Sequence, residues 1–155
     1  MKYYLTPLIP LLFTFASYGN IEPVIDARVM HTFNILFPSA KNIKWNEMPD
    51  SYVVHFTDAG VRSRIVYDKT SSLFYFTRYY TGEHLPYAIQ IKLKKDYPGK
   101  SVAGVTEISR YAANGKALHV EYFVGLQDNH WLLNLKIKKN GRYIVLNRFI
   151  KQQLH

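Results

Sequence analysis

The sequence predicts an α+β fold in which one antiparallel sheet carries two helices on a single face. Three observations lead there. Two amphipathic stretches, one closing at Phe37-Pro38 and the other at Tyr97-Pro98, lie sixty positions apart. Each is followed by four short segments of alternating or apolar character separated by turn residues. No low-complexity linker divides the two halves, so the chain reads as a tandem duplication of a helix plus a four-stranded antiparallel meander.

The first helix is expected over Ile25 to Phe37, where Val29, Met30, Phe33, Leu36 and Phe37 recur at three- and four-residue spacing. Asp26 suits the positive end of its dipole, and Pro38 ends it. A strand over Asn42 to Glu47 follows, with Ile43 and Trp45 on one side. Met48 to Ser51 turns the chain into Tyr52 to Thr57, and Asp58-Ala59-Gly60 turns it again. Val61 to Tyr67 alternates, placing Arg62 and Arg64 opposite Val61, Ser63, Ile65 and Tyr67. The turn Asp68 to Ser71 leads into Leu73 to Tyr80.

The second helix is expected over His84 to Tyr97, with Leu85, Ala88, Ile89 and Leu93 on one face and Pro86 in its first turn. Strands follow over Val102–Ala112, Ala117–Gly125, Trp131–Lys138 and Arg142–Phe149. Asn114-Gly115 and Asn140-Gly141 are hairpin signals, because both turn residues can take positive φ. Each half of about 60 residues would bury a marginal core alone, so a shared sheet with one continuous core is expected. Eight strands at about 4.8 Å span roughly 38 Å, whereas two helices, each about 10 Å across, cover about half of that. One sheet face is therefore predicted to stay open.

Residues 1–19 read as a secretory signal: Lys2, an apolar run too short to span a bilayer, then Ser17 and Gly19 at peptidase spacing. The mature chain, 20–155, is then one domain of two repeats, 24–80 and 84–150, with no transmembrane segment, and is expected to be periplasmic or secreted. It contains no cysteine, which excludes disulfides, thiolate zinc sites and cysteine nucleophiles. The formal charge is +9, and the excess is lopsided. Residues 20–80 hold seven Lys/Arg against six Asp/Glu, residues 81–155 twelve against five. A negatively charged partner or surface would be drawn to the second half.

No catalytic constellation is present. The six histidines show no paired metal-ligand spacing, although His55 and His119 fall on middle strands of the two repeats. No nucleophile elbow, phosphate-cradling loop or dinucleotide fingerprint occurs. Asp128 and His130 are read as turn residues, and the acidic residues offer no carboxylate pair. No enzyme activity, metal or cofactor is expected. Trp45 and Trp131 alternate with aliphatics and are assigned to the core, while Phe74, Phe76, Tyr79, Tyr80, His119 and Phe123 include residues that strand period should put on the open face.

The stretches Phe37-Pro38-Ser39-Ala40-Lys41-Asn42-Ile43-Lys44-Trp45, Tyr52-Val53-Val54-His55-Phe56-Thr57-Asp58-Ala59-Gly60, Leu85-Pro86-Tyr87-Ala88-Ile89 and Tyr97-Pro98-Gly99 resemble the PepSY-like family of exported Bacteroidetes proteins. That family is similar in fold to the β-lactamase inhibitory protein. The resemblance spans roughly residues 24–150 and implies the same tandem helix-and-meander architecture and, by analogy, a protein-binding role through a sheet surface. The chain departs from the family pattern at Thr77-Arg78-Tyr79-Tyr80, where an acidic residue is common, and in its basic second half.

A non-enzymatic binding module follows, docking an envelope or secreted protein on the open face and capable of inhibiting it. Arg62, Arg64, His119, Phe123, Lys136 and Lys138 are its candidate contacts, since arginine or lysine beside aromatics is the composition of a protein-binding patch. The alternative is electrostatic attachment to anionic polysaccharide or lipid head groups, marked by steep weakening with salt and tolerance of Phe123→Ala. Basic residues beside aromatics also suit single-stranded nucleic acid, a partner that export makes improbable.

Overall fold

The computed structural model describes residues 23–151; the expected signal segment lies outside them. Helix α1 (Ala27–Leu36) precedes strands β1 (Lys41–Met48), β2 (Ser51–Asp58), β3 (Val61–Asp68) and β4 (Leu73–Tyr80). A short 3-10 turn, Gly82–His84, leads to α2 (Tyr87–Asp96) and then β5 (Ser101–Tyr111), β6 (Ala117–Gln127), β7 (Trp131–Lys138) and β8 (Tyr143–Ile150). The eight strands form one antiparallel sheet in sequence order, β1 to β8.

Both helices close alike. Phe37 and Tyr97 leave the helical region at φ −134°, ψ 63° and φ −133°, ψ 64°, because the proline that follows each disfavours α geometry. Each still donates its N–H to the carbonyl four residues back, Phe33 or Leu93, at 2.9 Å. At the other end of α1 the Asp26 carboxylate accepts the Arg28 N–H at 2.8 Å, a side-chain N-cap.

The helices lie on the same face of the sheet, over two separate cores. Val29 and Phe33 of α1 pack on Tyr52, Val54, Phe56, Ile65 and Tyr67. Leu85 with Ile89 and Leu93 of α2 packs on Tyr122, Val124, Leu126, Leu133, Leu135 and Ile137. The expected single core is thus divided. Between the two, the cross-strand row Ser63, Arg78, Glu107 is polar, with Ser109 beside it. Buried Glu107 accepts the Tyr80 hydroxyl at 2.5 Å and the Arg78 guanidinium at 2.7 Å. Burying Glu107 is costly without these bonds, and the polar row they hold together marks the boundary between the two cores.

Other details differ from the sequence reading. The second helix starts at Tyr87, not His84, since Leu85 and Pro86 are extended with ψ 147° and 134°. Ala88, Met30 and Leu36 are exposed, because each helix buries only two residues four apart, Val29 with Phe33 and Ile89 with Leu93, a stripe one residue wide. Ile43 is exposed while Trp45 packs on the first core, since a bulge between Lys41 and Lys44 breaks the alternation. Trp131 sits half-buried at the sheet end with the Arg148 guanidinium 3.5 Å over its ring, outside the core assigned to it. The Asn-Gly hairpins use a type I turn closed by a glycine bulge: only Gly115 (φ 77°) and Gly141 (φ 79°) are left-handed, their asparagines not. The two-residue turn with both φ positive is Ala59-Gly60.

Candidate functional site

Cross-strand register fixes what the uncovered face displays. One row runs Lys136, Phe123, Thr106, Tyr79, Arg62, Thr57 across β7 to β2. The next runs Lys138, Glu121, Ile108, Thr77, Arg64, His55 and on to Lys44 of β1. A third runs His119, Arg110, Tyr75, Val66, Val53. Successive positions in a row are one strand spacing, about 4.8 Å, apart.

All six sequence-derived candidates, Arg62, Arg64, His119, Phe123, Lys136 and Lys138, lie on this face. They do not form one cluster. Lys136 reaches both Phe123, at 5.6 Å from the ring centroid, and the Glu121 carboxylate, at 2.9 Å. Arg62 lies 5.6 Å from the Tyr79 ring, three strand spacings or about 14 Å from Phe123. His119 pairs with Arg110, whose guanidinium lies 5.8 Å from the Tyr75 ring. Arg62, Arg110 and Lys136 therefore each lie beside an aromatic ring, a contact of about 0.5–1 kcal/mol at exposed sites, whereas Arg64 and Lys138 have no such partner among the described residues.

The residues linking these pairs, Tyr75, Thr77, Thr106, Ile108 and Arg110, were not singled out from the sequence. Strand period assigns their face once the β4–β5 pairing that joins the halves is known. That long-range pairing leaves no local signal. Phe76 and Tyr80 belong to the helix side, where they pack on the first and second cores respectively.

The face is strongly basic. Among the described residues Lys44, Arg62, Arg64, Arg110, Lys136 and Lys138 project from it against Glu121, which Lys136 already engages, and Asp68 at the end of β3, whose carboxylate accepts the N–H groups of Thr70 and Ser72 in its own turn. Partial desolvation, followed by the Arg64 charge across the strand pair, pulls His55 below its ordinary pKa and keeps it neutral at neutral pH. His55 and His119 face the same side but four strands apart, about 19 Å. Among the described residues no three His, Asp or Glu side chains gather where they could hold a metal ion.

Two glycines, Gly104 of β5 and Gly125 of β6, are cross-strand partners on this same face. They floor a shallow depression bordered by Thr106, Phe123, Leu132, Asn134 and Leu146. A Cβ on Gly104 would meet nothing within 4 Å, and one on Gly125 would make only an ordinary contact, 3.5 Å from the Asn134 amide oxygen. Neither needs positive φ. Side-chain packing therefore does not call for glycine at either place; Gly104 sits where the β5–β6 register shifts after Val102, a bulge that glycine suits, and the bare step also leaves room for close approach from outside.

Asp128 and His130 serve a turn. The Asp128 carboxylate accepts the N–H groups of His130 and Trp131 at 2.8 and 2.7 Å and pairs with Lys100, which together hold its pKa well below the usual carboxylate range.

No family model matches the chain, and no curated protein matches it. Solved structures do. A BLIP-like protein from Bacteroides fragilis aligns at 16% identity and TM-score 0.58, over 86% of this chain and 94% of that one. A DUF2874 family protein from Bacteroides uniformis aligns at 15% identity and TM-score 0.58, over 85% and 94%. A candidate periplasmic protein from Bacteroides eggerthii aligns at 14% identity and TM-score 0.59, over 83% and 90%. At such identities the likeness is one of fold: the chain has a BLIP-like fold. No helix among the described residues is long and apolar enough to cross a membrane.

Proposed function

We propose that this chain is an exported, non-enzymatic binding module that docks an envelope protein on its open sheet face. The observation that carries this reading is a basic tract in which Arg62, Arg110 and Lys136 each lie beside an aromatic ring, with the Lys136–Phe123 pair bordering the bare Gly104–Gly125 step. Aromatic and arginine side chains supply contact energy, and the step admits a partner's side chain or backbone. A basic face speeds encounter with an acidic partner. Inhibition of that partner follows where the docked face covers its working surface.

The same reading takes residues 1–19 as a removed signal, places the mature chain in the periplasm or outside the cell, and makes it kin to the PepSY-like family. It takes the two helix-and-meander units as a tandem duplication, which the matched helix closures at Phe37 and Tyr97 support. The test is capture of envelope extract on the chain at low and high salt, with Phe123→Ala and Arg62→Glu beside the parent. A discrete protein retained at high salt by the parent and lost by both variants supports docking. Release of all bound material by salt, with Phe123→Ala unchanged, replaces it by attachment to an anionic glycan or lipid surface.

A further inference from the structure

The two edges of the sheet are defended unequally. β1 carries Lys41, Lys44 and Glu47 and is broken by a bulge where Asn42 takes φ +55°, devices that block strand addition. β8 has no proline, and its one charged residue, Arg148, folds over the Trp131 ring of β7. Ile144, Val145, Leu146, Phe149 and Ile150 of β8 are each between 46% and 68% exposed. They emerge on both sides of the strand: Ile144 and Phe149 share the open face with Lys136 and Leu132, while Val145 and Ile150 share the other with Leu135 and Trp131.

The backbone of this edge is also free to pair. Lys151 donates its N–H to the His130 carbonyl at 2.8 Å, so strand alternation turns the N–H and C=O of Ile150 and Arg148 away from β7. At the other end Lys138 donates to the Arg142 carbonyl at 2.8 Å, which turns Tyr143 and Val145 outward likewise. One bulge, opposite Leu135, separates the two outward-facing pairs.

Charge selects among possible occupants. Lys136, Lys138, Arg142, Arg148 and Lys151 flank the edge, while the carboxylates nearest to it, Glu121, Asp96 and Asp128, are already bound by Lys136, Lys92 and Lys100. A second copy would bring these cations against their own kind. The described chain begins beside α1, which packs over β2 and β3, five to six strand spacings or about 26 Å from β8. We infer that β8 is a strand-addition site for an extended segment of another protein, alternating β-branched or other apolar side chains with polar ones and carrying acidic residues at its ends. Main-chain bonds to Ile150, Arg148, Val145 and Tyr143 would supply register, and the exposed β8 side chains would supply apolar contact. This edge adjoins the docking face and shares Lys136, Lys138 and Leu146 with it, but it is read by main-chain pairing, so Ile150→Pro tests the edge while Phe123→Ala and Arg62→Glu test the face, and each reading can fail without the other.

The test uses the full chain and a labelled synthetic peptide as long as β8, with valine and threonine alternating between glutamate-rich ends. Fluorescence anisotropy gives affinity, and amide shifts locate binding. Binding is expected, with the largest shifts at Arg148 and Ile150. A peptide carrying proline at its pairing positions, or lysine-rich ends, is expected to bind weaker by about tenfold or more. The lysine penalty closes near 1 M salt, where the Debye length is about 3 Å. Ile150→Pro, which removes an outward N–H and spares the ladder to β7, is expected to weaken binding by a similar factor. Equal affinity for the proline-bearing peptide overturns the inference, whatever the variant's folding. So does a free chain whose Arg148 and Ile150 amides are already protected from exchange; sedimentation then tells a second copy from residues of the same chain.

Discussion

Replacing Gly104 separates folding from function more sharply than any other change to this chain. In Gly104→Ala the new methyl has no atom within 4 Å, and the φ at this position is one that side chains accept. Such a change stabilises by about 0.4–1 kcal/mol, chiefly by narrowing the unfolded ensemble. For a domain of this size the gain corresponds to a Tm rise of roughly 1–4 °C. Yet the methyl projects into the depression on the open face, so the captured partner should bind less well, and Gly104→Val, which fits the strand, should bind worse still. Thermal unfolding by circular dichroism and a quantitative capture assay on the same preparations give both numbers. A Tm that falls assigns the glycine to folding. A Tm that rises with undiminished capture refutes the use of this step by the partner.

Three further outcomes follow from the two cores and the charged turns. Tyr67 is fully buried, its hydroxyl has no partner among the described residues, and burial pushes its pKa up to about 12. Tyr67→Phe should therefore recover about 1 kcal/mol or more, read as a Tm higher by roughly 2–4 °C; a fall shows that the hydroxyl is bonded. Glu107→Ala strands Arg78 and the Tyr80 hydroxyl, and because the Arg78 side chain is itself 39% exposed the loss should lie near or below the low end of about 3–5 kcal/mol, with Arg78→Ala in the same chain recovering part of it. Full additivity of the two changes contradicts the coupling. Asp26, Asp68, Asp96 and Asp128 all titrate lower in the fold than their ordinary 3.8, Asp26 at about 2 through its bond to Arg28. Between those values the unfolded chain binds more protons, so denaturant midpoints should hold above pH 4 and decline toward pH 2, and a flat profile there removes these pairs from the account.

What the sequence made legible is what local chemistry controls. Pro38 and Pro98 stop their helices because each unsuits the aromatic residue before it for α geometry, and Asp26 caps as its position suggests. The alternation around Arg62 and Arg64 assigned faces correctly, since one core-facing set excludes the other. Less was legible where the cause is distant. The division of the core depends on Glu107 meeting Arg78 and Tyr80 across β4 and β5, a pairing between halves with no local mark. Ile43 misled because the bulge at Asn42 shifts the pleat by one residue. Gly104 and Gly125 stood inside or at the end of expected strands, but only their pairing shows that they bare the same spot. The exposed β8 was hidden by its composition, which reads like a buried strand until the sheet ends there.

The most direct measurement is hydroxyl-radical footprinting of the chain with and without its captured partner. Tyr75, Tyr79 and Phe123 report the open face, and Tyr87, Met30 and Ile91 report the helix side, where they are 76%, 42% and 46% exposed. Docking on the open face should protect the first three and leave the reactivity of the others unchanged. Protection of Tyr87 and Met30 with Tyr79 and Phe123 unchanged would place the partner on the helices and contradict it.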